Sequence, residues 1–162
     1  MKNYRKTSAW VIAVAVVAGL LAPQAAEAAP TCFGHKATIV SNKARVEGTD
    51  APDVIVGGDA NQRIDGQGGN DRICAGGGDD VVRGRGGSDR IDGGFSDIDG
   101  DRLYGGKGGD LIGAMAPVSD PGYSVQSLLL GGRGPDRLYG SRVSDRLDGG
   151  PGPDRIDGFG GS

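Results

Sequence analysis

From residue 48 onward an aliphatic residue returns at a fixed interval in a chain otherwise dominated by glycine and polar side chains. Ile55, Ile64, Ile73, Val82 and Ile91 stand nine residues apart. A helix repeats its faces every 3.6 residues and a strand every two, so neither explains a period of nine. Cut before Gly48, the chain falls into the units GTDAPDVIV, GGDANQRID, GQGGNDRIC, AGGGDDVVR and GRGGSDRID, which run to residue 92 without a gap. A longer unit, GGFSDIDGDRLY, precedes GGKGGDLIG. An irregular stretch, 114–130, follows, and GGRGPDRLY, GSRVSDRLD and GGPGPDRID complete the series. The eighth position is aliphatic throughout, continuing through Leu103, Ile112, Leu129, Leu138, Leu147 and Ile156.

This pattern predicts a very short strand at the end of each unit. Its middle side chain points inward and its two neighbours outward, by the alternation of a pleated strand. The six residues before it must reverse the chain, and their glycines permit the backbone conformations that a tight turn needs. Two units then make one coil with a strand on each side, and coils stack by parallel pairing. The expected fold class is all-β: a parallel β-roll, or β-solenoid, of stacked nonapeptide turns with a short N-terminal cap. Residues 1–28 are expected to be a signal peptide, 29–47 the cap, and 48–162 the roll, with 114–130 as an irregular insert.

One inward aliphatic side chain per nine residues is little apolar burial to set against the entropy of ordering all nine. The sixth position suggests the missing contribution. It holds Asp53, Asp71, Asp80, Asp89, Asp101, Asp110, Asp136, Asp145 and Asp154, with Gln62 and Ser127 as exceptions. Alternate units lie on the same side of the stack, so their aspartates sit one strand spacing apart, about 4.8 Å. Carboxylates that close repel unless a cation lies between them. A hard divalent ion takes six to eight oxygens, which two aspartates and the carbonyls of two turns would provide; magnesium fits less well because it retains water and demands octahedral geometry.

These units resemble the hemolysin-type, or RTX, calcium-binding nonapeptide, Gly-Gly-x-Gly-x-Asp-x-aliphatic-x. The resemblance covers 48–113 and 131–157 well and 114–130 poorly. It implies a parallel β-roll with several Ca2+ ions in its turns, folding that depends on calcium, and folding outside the cell. Carried over residue by residue, it implies ions at the pairs 53/71, 71/89, 80/101, 89/110 and 136/154, with sites at Gln62 or Ser127 weak or absent and 110/136 dependent on how the insert packs. The opening TCFGHKATIV, taken with ICAGGGDD, also looks like small secreted bacterial calcium-binding proteins of this group. Repeats of this family often follow a protease, lipase or toxin domain, whereas nearly all of residues 29–162 is expected to be repeat.

Lys2, Arg5 and Lys6, the apolar run 9–22 and Ala26-Glu27-Ala28 read as a secretory signal peptide, too short to span a bilayer. The expected location is therefore extracellular, with no membrane span in the mature chain. In an exported chain the two cysteines, Cys32 and Cys74, suggest a disulfide. The whole chain carries a net charge of −3, and residues 29–162 carry 15 Lys and Arg against 20 Asp and Glu. That balance argues against nucleic acid and suits divalent cations.

Arginine recurs at the seventh position, with aspartates at the ninth. This reads first as a charge-paired outer face and second as a ladder for a cell-wall or matrix polysaccharide. Asp97 and Asp99, with Asp101, loosely suggest a calcium loop, but Gly108 stands where that loop needs glutamate. A solvated bulge is the preferred reading there. His35 is the single histidine, and zinc-protease and serine-hydrolase motifs are missing. The expected function is a secreted, non-catalytic, calcium-binding repeat protein; the alternative is a calcium-dependent adhesion or matrix-binding module.

Overall fold

The computed structural model describes residues 28–95, 100–114 and 126–159. The segment expected as a signal peptide, up to residue 27, with Asp97 and Asp99, residues 115–125 of the insert and the last three residues lie outside the described residues.

The described chain is all-β. A small hairpin, β1 (Thr31–Cys32) with β2 (His35–Lys36), stands first. Two parallel sheets follow, formed by strands that alternate between them. One contains β3 (Ile39–Val40), β5 (Val54–Val56), β7 (Arg72–Cys74), β9 (Arg90–Asp92), β11 (Leu111–Gly113), β13 (Arg137–Tyr139) and β15 (Arg155–Asp157). The other contains β4 (Arg45–Glu47), β6 (Arg63–Asp65), β8 (Val81–Gly86), β10 (Arg102–Lys107), β12 (Leu128–Arg133) and β14 (Arg146–Asp148). In each sheet the neighbour of a strand is the next but one in sequence, which is the signature of a solenoid with two strands per coil.

Register follows the ninefold period. Ile55 lies beside Ile73, Ile73 beside Ile91, and Ile64 beside Val82. These side chains meet between the sheets with Leu103, Ile112, Leu129 and Leu138, all fully buried. In the last described coil Leu147 is only partly buried, and Ile156, at the position that is core elsewhere, is 48% exposed.

Of the segment 29–47, expected as a cap, only the first part stands apart from the sheets. Ile39–Val40 and Arg45–Glu47 pair in register with the first repeat strands, and Val46 joins the core. Cys32 and Cys74 form a disulfide that ties the hairpin to β7. No helix among the described residues is long and apolar enough to cross a membrane.

Candidate functional site

The sixth residue of each unit sits where a turn enters a strand, and its backbone is used twice. Its carbonyl accepts from the first N–H of the strand one coil on: Arg90 N to Asp71 O and Leu111 N to Asp89 O, each at 2.8 Å. Its own N–H would then be left without a partner in a buried place, which is unfavourable. The carboxylate of the following coil satisfies it. Asp53 N donates to Asp71 Oδ1 at 2.9 Å, Asp71 N to Asp89 Oδ1 at 2.9 Å, Asp89 N to Asp110 Oδ1 at 2.8 Å, Asp110 N to Asp136 Oδ1 at 2.8 Å and Asp136 N to Asp154 Oδ1 at 2.9 Å. On the other side Gln62 N donates to Asp80 Oδ1, Asp80 N to Asp101 Oδ1, Asp101 N to Ser127 Oγ, and Ser127 N to Asp145 Oδ1. All nine aspartates therefore fall into two columns, one along each sheet edge. The long insert leaves the 110/136 contact in register.

One carboxylate oxygen is accounted for in this way; the other is not. Oδ2 of Asp71, Asp89, Asp110 and Asp136 is buried without a hydrogen-bond partner. Each lies against the first glycine of its own unit, where a Cβ would overlap it. The space is shared with a carbonyl oxygen from the next coil. A Cβ on Gly84 would overlap Asp89 Oδ2 and lie 2.8 Å from Gly105 O, and one on Gly105 would overlap Asp110 Oδ2 and lie 2.6 Å from Gly131 O. Carboxylate and carbonyl oxygens thus converge on hollows to which no N–H points. Burial pushes the Asp71 carboxyl up to about 6 and the Asp110 carboxyl up to about 7, with neighbouring carboxylates raising both further. Asp89 and Asp136 are raised as well, chiefly by burial. A column of desolvated acids facing carbonyl oxygens is a donor set for a hard, oxygen-seeking cation. No group of three or more His, Cys, Asp or Glu side chains converges among the described residues. The oxygens on offer are paired aspartates and backbone carbonyls.

Three turns are finished differently. In the unit of Asp53, Thr49 donates both its N–H, at 2.7 Å, and its hydroxyl, at 2.9 Å, to Asp53 Oδ2, while Thr38 Oγ1 donates to Oδ1. Ser141 closes on Asp145 Oδ2 in the same manner, through backbone and hydroxyl. Gln62 accepts from Gly58 N at 2.7 Å, and its amide nitrogen donates to Ser41 O at 3.0 Å and Lys43 O at 2.7 Å. That nitrogen bridges carbonyl oxygens of the preceding turn, the task a cation would have elsewhere. Sequence reasoning marked Gln62 as an interruption but missed the sealing of Asp53 and Asp145. The hydroxyl at the second position of their units was the available signal.

The turns that keep an orphaned oxygen have left-handed backbone at the second position. This holds even where the residue is not glycine, at Gln67 (φ 73°) and Arg85 (φ 76°). The conformation turns the second N–H away from the carboxylate.

The chain matches the family model described as the RTX calcium-binding nonapeptide repeat, in four copies, at residues 47–82, 75–97, 128–142 and 143–162. These segments take in more than half of the chain. It belongs to the RTX calcium-binding repeat family. Within this RTX protein the segment 98–127, which holds the unit 105–113 and most of the insert, falls outside the match. No curated protein and no solved structure matches the chain.

Proposed function

We propose that this RTX protein is a secreted, non-catalytic calcium-binding module whose roll folds when cations fill the hollows between stacked turns. The observation that carries the reading is the set of buried, unpartnered Oδ2 atoms of Asp71, Asp89, Asp110 and Asp136 facing carbonyl oxygens of the next coil. The pairs 71/89, 89/110, 110/136 and 136/154 hold ions on one edge, and 80/101 on the other. The 53/71 pair binds more weakly, because hydrogen bonds already occupy both Asp53 oxygens. Asp145, sealed by Ser141 and facing Ser127, contributes least.

Bound calcium would neutralise the paired carboxylates and join each coil to the next. The chain's own part is to present these oxygens at strand spacing, to keep the hollows free of Cβ atoms, and to leave the carboxylates without competing donors. Linkage then favours the folded stack, since the disordered chain lacks the arrangement. Extracellular modules bind calcium at roughly 10⁻⁴–10⁻³ M. Such affinity would leave the chain unfolded before export and folded after it. Export itself rests on the basic and apolar pattern of residues 1–28.

The test is circular dichroism of residues 29–162 during a calcium titration, with magnesium as control. A coil-to-β transition specific to calcium and reversed by chelator is expected. A chain folded in chelator and indifferent to calcium would refute the reading.

A further inference from the structure

The two sheets are not equivalent on their outer faces. In the seven-stranded sheet the seventh-position residues stack as Arg72, Arg90, Leu111, Arg137 and Arg155, each directly beside the next. In the six-stranded sheet Arg45 lies beside Arg63, and from there the column alternates as Arg63, Val81, Arg102, Leu128, Arg146. The first column flanks an open groove, which runs along the turn edge from Asn70 to Asp154 and is lined by all four of its arginines. Arg90, Arg137 and Arg155 are exposed. Arg72 is half-buried, and its Nε has no hydrogen-bond partner. The two ion pairs within the described residues, Arg45–Glu47 and Arg85–Asp65, involve none of these four. Charge pairing across the outer face therefore does not account for this column.

The floor of the groove is the edge column Asp89, Asp110, Asp136 and Asp154. While those carboxylates are charged they offset the arginines; once a cation neutralises them the groove is positive. The same inversion holds for the whole chain. Taking the seven aspartates of the pairs proposed above to hold ions from the 20 acidic residues of 29–162 leaves 13 against 15 basic ones, an excess of +2.

We propose that this groove binds an acidic polysaccharide laid along the solenoid axis, and that it does so in the cation-loaded state. The calcium requirement rests on the function proposed above; the groove and its arginines do not. Guanidinium forks match carboxylate and sulfate groups. Rungs about 4.8 Å apart present them as two adjacent pairs in line, Arg72 with Arg90 and Arg137 with Arg155, on either side of Leu111, which suits a linear polymer with repeated anions. Single-stranded nucleic acid suits the groove less well, because its lining includes no aromatic side chain to stack a base, and the Phe33 ring beside the column is already covered by the Arg90 guanidinium, 5.7 Å from its centroid.

The experiment compares residues 29–162 with two variants of equal charge change, Arg90→Gln/Arg137→Gln in the groove and Arg63→Gln/Arg102→Gln on the opposite sheet. Binding to hyaluronan, heparin, uncharged dextran and oligothymidylate is measured in calcium and in chelator. Hyaluronan and heparin separate carboxylate from sulfate recognition. Circular dichroism and calcium calorimetry on the same samples report folding and ion uptake. The expected result is calcium-dependent binding to one or both acidic glycans. It should weaken about ten-fold or more in the groove variant, as the loss of charge-assisted hydrogen bonds implies, and little in the other. Equal loss in both variants, tighter binding to oligothymidylate, or no glycan binding by a folded, calcium-loaded chain would overturn it. Glycan binding that persists in a chain taking up no calcium would sink the calcium requirement and the proposed function while leaving the groove.

Discussion

Asp71 donates its backbone N–H to Oδ1 of Asp89 across 2.9 Å, so the carboxylate of one coil caps the backbone of the coil before it. Oδ2 of Asp89 stays buried and unpartnered. The two oxygens thus have separable duties, and substitution should separate them. Asp89→Asn keeps an acceptor for Asp71 N and removes the charge. It should lower calcium stoichiometry, since Asp89 faces both Asp71 and Asp110, while preserving the fold at saturating calcium. Asp89→Ala loses the acceptor too, and should cost a further ~1–3 kcal/mol in urea unfolding at saturating calcium. Calorimetric stoichiometry and urea midpoints check both; identical stability of the two variants would show that the capping bond contributes nothing.

Protons should partly replace the cation. The Asp71 and Asp110 carboxyls stand at about 6 and about 7 in the folded chain, raised chiefly by burial, against about 3.9 for an unfolded aspartate. A raised carboxyl means the folded state binds more protons, so its contribution is fully present below about pH 4 and is lost as pH rises toward 7. In calcium-depleted buffer, β content should therefore increase as pH falls from 7.5 to 5 and level off near 4. With calcium present the same protons compete, and the calcium midpoint should rise over that range. A pH-independent spectrum in the depleted buffer would argue against buried, charge-strained carboxylates.

The disulfide between Cys32 and Cys74 spans 42 residues and fastens the N-terminal hairpin to β7. On the chain-entropy account, a loop of that size contributes about 4 kcal/mol. Reduction should raise the calcium concentration needed for half-folding without changing the number of ions bound, because neither cysteine belongs to the aspartate columns. Titrations with and without reductant, read by circular dichroism and calorimetry, distinguish the two effects.

Much of this arrangement was legible in the sequence because the period is carried by side chains. Ile73 and Asp71 announce their places every time the unit recurs, and the alternation of sheets follows from turning the chain once per nine residues. The first strands of the stack were not legible. Arg45-Val46-Glu47 has the strand pattern, yet Ala44 stands where the aspartate should, and no glycine turn precedes it. The different fates of Asp53 and Asp89 were hidden as well. They depend on whether the second residue of the turn points its N–H toward the carboxylate, a backbone choice that composition leaves open. The outer arginines show a similar limit. Their recurrence is plain, but only the fold shows that the column of Arg72, Arg90, Arg137 and Arg155 lines one groove along the turn edge.

Gln62 offers the sharpest test, because the chain there supplies its own substitute for a cation. Its amide nitrogen donates to Ser41 O and Lys43 O, its Oε1 accepts from Gly58 N, and the side chain is 3% exposed. Gln62→Glu changes almost nothing in shape but turns that nitrogen into an oxygen facing two carbonyl oxygens. Without a cation this removes two hydrogen bonds and buries an unpaired charge, a loss on the order of 3 kcal/mol. With calcium the same three oxygens become part of a donor set resembling those at Asp71 and Asp89. The variant should therefore be the less stable chain at low calcium and recover as calcium rises, with one additional ion bound at saturation. Urea unfolding across a calcium series reads the crossover, and calorimetry counts the ion. Equal destabilisation at every calcium concentration would mean that the hollow at Gln62 accepts an amide but no metal, and that the sixth position alone does not make a site.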